Sequence, residues 1–121
     1  MKRILCALPF AALLLSLSAC GGGGNESGPP ESIYLSATAV TVGATGICMS
    51  GLGPEIHVYG GTPPYKLANS VPQGMTLNKS VVQNSGDSFT ITFKGVCMDT
   101  MPITVEDQMG LLAHVDVSNG V

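Results

Sequence analysis

The sequence predicts an all-β fold, a β-sandwich of about seven short strands, and three observations carry that expectation. From Ser32 onward apolar side chains recur at every second residue, the pattern of strands with one buried face. Clusters rich in Gly and Pro, such as Gly60-Gly61-Thr62-Pro63-Pro64, interrupt these runs at the short spacing that sandwiches use. No helical period of useful length occurs in the same region.

The N-terminal segment is of a different kind. Lys2 and Arg3 precede an apolar run from Ile4 to Leu17, and the run closes with Leu17-Ser18-Ala19-Cys20. A basic start, an apolar stretch and small residues before a cut read as a secretory signal that is removed. The run is about fourteen residues, short of the roughly 20 that a spanning helix needs, and Pro9 lies inside it. Aliphatic, small, small, cysteine resembles the lipobox of bacterial lipoproteins. The resemblance implies that residues 1–19 are cleaved and that Cys20 becomes a lipidated N-terminus, so that the membrane is reached through lipid and is not spanned. Asp after the lipidated cysteine is the inner-membrane retention signal of that family. Gly21 stands there instead, which implies the outer membrane of the cell envelope.

Residues 20–31 hold this cysteine and a run from Gly21 to Pro30 without an apolar side chain able to pack. It reads as a flexible tether with a reach on the order of 18 Å. Residues 32–121 are left for the sandwich. Ile33, Leu35 and Ala37 alternate with Tyr34, Ser36 and Thr38, and then the phase slips to Val40 and Val42. Such a slip is tolerated where a strand bends or changes sheets. Gly43 to Gly53 reads as a loop holding Cys48. Ile56 and Val58 then alternate with Glu55, His57 and Tyr59 until the Gly-Pro cluster stops the strand. Tyr65-Lys66-Leu67 restarts an extended segment, Val71-Pro72-Gln73-Gly74 turns it, and Met75-Thr76-Leu77 and Val81-Val82 give short strands. After the turn Ser85-Gly86-Asp87, Phe89, Ile91 and Phe93 point one way while Ser88, Thr90, Thr92 and Lys94 point the other. Ile103 and Val105 lead into Asp107-Gln108-Met109-Gly110, a hairpin loop with Gly110 available for positive φ. Leu111, Ala113, Val115 and Val117 form the inward set of the last strand.

Gly60-Gly61-Thr62-Pro63-Pro64-Tyr65 resembles the Gly-Gly-Thr-Pro-Pro-Tyr signature of immunoglobulin-like domains in bacterial surface and secreted proteins, where it joins the second and third strands. Pro72-Gln73-Gly74-Met75-Thr76-Leu77 is similar to the family's Pro-x-Gly-x-x-Leu. Thr104-Val105-Glu106-Asp107-Gln108-Met109-Gly110 is similar to its Thr-Val-x-Asp-x-x-Gly. The resemblance implies an immunoglobulin-like sandwich over most of Ser32 to Ser118.

Cysteine use follows from these readings. Cys6 leaves with the signal and Cys20 is acylated, so Cys48 and Cys97 remain, and a leftover pair in an exported chain favours a disulfide. In the immunoglobulin-like order their two loops share one end of the sandwich. Cys48-Met49 beside Cys97-Met98, with Met101 close by, also offers soft sulfur donors of the kind that select Cu(I). Met49, Met98 and Met101 are therefore copper candidates, and equally residues that fill gaps around a disulfide.

Other functions find less in the residues. His57 and His114 both point outward, and in an immunoglobulin-like order they belong to opposite sheets, so a shared metal or a coupled acid/base pair is not expected. His114 and Asp116 are placed for a local ion pair. No Gly-x-Ser-x-Gly, His-Glu-x-x-His or phosphate-binding glycine loop occurs, and the chain is not expected to be an enzyme or to need a cofactor. Glu106, Asp107 and Asp99 near loop ends are weak Ca²⁺ ligands at most, and read first as acidic turn residues that solubilise the domain. From Cys20 on, Lys66, Lys79 and Lys94 face eight carboxylates, net −5, with no clustered basic face for nucleic acid. The function expected is a non-catalytic interaction or structural module, lipid-anchored in the envelope beside a protein partner. Copper or small-ligand binding in the periplasm is the alternative.

Overall fold

The computed structural model describes residues 31–121. The predicted signal, Cys20 and the tether up to residue 30 lie outside the described residues. Nine strands follow in chain order: β1 (Ile33–Leu35), β2 (Ala39–Val42), β3 (Ser50–Gly60), β4 (Tyr65–Asn69), β5 (Met75–Leu77), β6 (Val81–Val82), β7 (Ser88–Lys94), β8 (Met98–Glu106) and β9 (Leu112–Asn119). Among the described residues there is no helix. One sheet has the order β1-β3-β7-β5 and the other β2-β9-β8-β4-β6. Both pack onto a shared core that includes Ile56, Val58, Tyr65, Phe89, Ile91, Ile103, Val105, Val115 and Val117, all without exposed surface. The molecule is a β-sandwich.

The phase slip after Ala37 marks a change of sheet. β1 pairs antiparallel with β3, Tyr34 opposite Tyr59, whereas β2 runs parallel to β9, Val40 opposite Val117. A parallel neighbour can be reached here because the chain crosses from one layer to the other between Leu35 and Ala39. This split, with the two-residue β6, accounts for nine strands where about seven were expected.

Two strands begin earlier than their residue types suggest. Gly43 to Gly53 was expected to be loop, yet β3 already starts at Ser50, with Ser50 opposite Lys94 and Leu52 opposite Thr92. A register shift between Leu52 and Glu55 takes up Gly53 and Pro54, so the proline falls at an irregularity and not in a regular ladder. β8 likewise starts at Met98. Thr100 there has φ 55°, and the pairing with β9 shifts register between Val117 and Asn119. With 11 residues, β3 runs the length of the sandwich, about 33 Å at the usual rise per residue.

Candidate functional site: the disulfide end

Cys48 lies two residues before β3 and Cys97 immediately before β8, and the two form a disulfide with Cα atoms 5.1 Å apart across 49 positions of sequence. The separation is ordinary for a bridge. Asn119, fully buried, organises the loop around it. Its Oδ1 accepts from the Met49 N–H at 2.7 Å, and its Nδ2 donates to the carbonyls of Met49 at 3.0 Å and Val96 at 3.2 Å. The next residue, Gly120, lies so close that a Cβ there would stand 2.7 Å from Cys48 Sγ. Gly120 also donates to the Val42 carbonyl and accepts from Gly46 N–H, so the β2–β3 loop and the C-terminal segment are sewn together around the bridge.

Three apolar side chains stand open at this end, among exposed polar neighbours such as Lys94 and Asp99. Ile47 is 68% exposed beside Cys48, Val96 is 38% exposed beside Cys97, and Val121 is 52% exposed beside Gly120. The three methionines of the region divide. Met98 is buried, with its sulfur against Gly74, Met49 packs partly buried on the core, and Met101 is about one-third exposed. Because both cysteine sulfurs are used in the bridge, the soft donors left here are thioethers. Among the described residues no group of three or more His, Cys, Asp or Glu is placed to hold a metal ion.

The opposite end is tightly bonded, and two apolar side chains, Met109 (74% exposed) and Leu112 (65%), stand open there. Ser32 lies there, its carbonyl accepting from Gly61 N–H at 2.8 Å. Gly60 and Gly61 both have positive φ, and Tyr65, fully buried, donates its hydroxyl hydrogen to the Gly60 carbonyl. Burial pushes the Tyr65 hydroxyl above its usual range, so it stays a donor. Asp107, expected as a solubilising acid, is instead buried. Its Oδ2 accepts from Thr62 N–H at 2.7 Å and its Oδ1 from Met109 and Leu111 N–H at 3.0 and 2.8 Å. Burial by itself raises the carboxyl, but these main-chain donors outweigh it and hold Asp107 below its ordinary range. The Gly-Gly-Thr-Pro-Pro-Tyr and Thr-Val-x-Asp-x-x-Gly segments thus meet through one carboxylate, and Gly110 takes φ 89° in the loop between β8 and β9.

The histidines lie on different sheets, His57 on β3 and His114 on β9, and His114 Nε2 is 3.8 Å from Asp116 Oδ1. Around His57 the fold assembles a serine, a carboxylate and an imidazole that local motifs could not reveal. Ser88 Oγ donates to Glu55 Oε2 at 2.6 Å, Glu55 Oε1 is 3.6 Å from His57 Nε2, and His57 Nδ1 faces the Gly86 carbonyl at 3.1 Å. The carboxylate sits between serine and histidine, so the imidazole is not placed to take the serine proton, as a nucleophilic triad requires. The serine bond, with help from His57 and Lys79, holds Glu55 below the usual carboxylate range. Comparison with protein-family models, curated proteins and solved structures finds no match.

Proposed function

We propose that the protein is a lipid-anchored module of the cell envelope that binds a protein partner through its disulfide end and catalyses no reaction. The observation that supports this reading is the placement of Ser32 and of the apolar Ile47, Val96 and Val121 at opposite ends of the sandwich, separated by the length of β3. The sandwich is joined to the lipidated residue through Ser32, so the disulfide end is the one farther from the attachment point. Exposed apolar side chains grouped on a small domain mark contact surfaces. A photocrosslinking residue at position 47, in cells making the full chain, is expected to capture a reproducible protein partner, and one at position 109, in the loop beside Thr62, is not. Capture is expected to disappear in Cys20→Ala, which cannot be lipidated. Equal capture from both positions, or none from position 47, rejects the reading.

A further inference from the structure

The described chain keeps Tyr65, Phe89 and Phe93 in the core, and its two remaining aromatic residues stand side by side on the outer face of the four-stranded sheet. Tyr34 on β1 is directly opposite Tyr59 on β3 and is 53% exposed. Residues so paired have Cβ atoms about 4.5–5.5 Å apart. Two residues back on the same face, the His57 ring lies 6.2 Å from the Tyr59 ring, with only 19° between their planes. The imidazole is pinned at both nitrogens, by Gly86 and by Glu55. Glu55 and Ser88 then continue the row as a bonded acceptor and hydroxyl. Beyond Tyr34, on the other side of β1, an open groove of about 500 Å³ runs between β1 and β9, with Ile33, Tyr34, Leu112, His114 and Asp116 among its walls.

We propose that this row is a binding site for a neutral polysaccharide, with Tyr34, Tyr59 and His57 as stacking rings and Glu55 and Ser88 as partners for hydroxyl groups. A pyranose ring carries C–H groups on its faces and hydroxyls around its rim. The negative face of an aromatic ring suits the former, and a carboxylate, which only accepts, suits the latter. Tyr34 opposite Tyr59, and His57 nearly parallel to Tyr59, line up three ring-bearing positions across an open sheet face and not in a closed cleft, which fits a chain of sugars better than a single one. Charge decides the class of chain. Glu55 stands in the row itself with a single lysine, Lys79, close enough to act on its carboxyl, in a chain of eight acids against five Lys and Arg, so a polyuronate or other polyanion meets no basic cluster while a neutral polymer needs none. The groove lets the same sugar chain continue past Tyr34 to His114 and Asp116.

The competing explanation is that the paired rings only stabilise the sheet, and binding separates the two. The full chain, purified in detergent, is offered to insoluble chitin and cellulose and titrated with their soluble oligosaccharides. With no tryptophan in the sequence, the emission comes from Tyr34, Tyr59 and the buried Tyr65, and of these only Tyr34 and Tyr59 can meet a sugar. Expected are retention that survives high salt, a saturable change in emission, and a loss of affinity of about tenfold or more in Tyr34→Ala and in Tyr59→Ala. Tyr34→Phe, Tyr59→Phe and Met109→Ala keep binding, and Cys20→Ala binds as the parent does, which keeps this inference apart from the anchoring proposal. The Phe variants also guard against a misfolded Ala variant. No retention on either polymer, undiminished retention of Tyr34→Ala, or preference for alginate overturns the proposal.

Discussion

Asn119 and Asp107 each hold one end of the sandwich by main-chain hydrogen bonds over long sequence separations, Asn119 to Met49 and Asp107 to Thr62. Replacing Asn119 with Ala strands the N–H and carbonyl of Met49 in a part-buried site, and is expected to cost about 2–3 kcal/mol in urea unfolding. Asn119→Asp removes only the donor half, so it should lose the bonds to the Met49 and Val96 carbonyls while keeping the acceptor. Asp107→Asn tests the other end, and there pH supplies the sign. The carboxyl of Asp107 is held below its unfolded value, so its contribution is fully present above the ordinary carboxylate range and is lost as pH falls through the lowered folded value. The stability gap between parent and Asp107→Asn is therefore expected to be widest near neutral pH and to close in acid. A gap that is constant down to strongly acidic pH would contradict this. Neither role was legible in the sequence. Asn119 follows the last alternating strand and Asp107 looks like any turn acid; what distinguishes them is the chain that folds over them from 70 and 45 residues away.

Strands were legible where alternation was unbroken. Phe89, Ile91 and Phe93 of β7 are buried as the period requires, and the phase slip at Ala37 did locate the crossing between sheets. What escaped were the first residues of β3 and β8, because Gly51, Gly53, Pro54 and Pro102 are residues that local preference assigns to loops. Their strand state depends on neighbours: Leu52 on Thr92, Pro102 on Asp116. Gly53 shows the reason for a glycine there, since a Cβ would stand 2.5 Å from the Phe93 ring and 2.8 Å from the Ile91 carbonyl oxygen. Gly53→Ala should therefore destabilise by about 1–3 kcal/mol through forced displacement of a core ring, and pairing it with Phe93→Leu should recover part of the loss. If the single substitution is neutral in thermal unfolding, β3 is not packed as described.

For the molecule as a whole, position matters more than any one contact. Ser32 lies at the Asp107 end and the disulfide at the other, an arrangement the sequence suggested only through the shared placement of the two cysteine loops. The aromatic row was hidden because Tyr34 and Tyr59 are 25 positions apart and become neighbours only through the β1–β3 register. A domain of this size buries a modest fraction of its chain, so a bridge over 49 positions is a substantial share of its stability, about 4 kcal/mol in the chain-entropy account. Reduction, or the pair Cys48→Ser and Cys97→Ser, is expected to lower the unfolding free energy by that amount, and the urea midpoint with it, while the far-ultraviolet signal of the sheets persists at low denaturant. The core and the Asp107 end do not involve the bridge, so local opening in the native state should concentrate at Ile47, Val96 and the C-terminal segment. Hydrogen exchange measured on the oxidised and reduced forms reads this directly. At β7, whose core amides exchange through global unfolding, acceleration should match the lost stability, while Gly46, Met49 and Gly120 amides should lose nearly all protection through local opening; β7 unchanged would mean that the bridge adds nothing to global stability, and protection retained at the three loop amides would mean that this end does not depend on it.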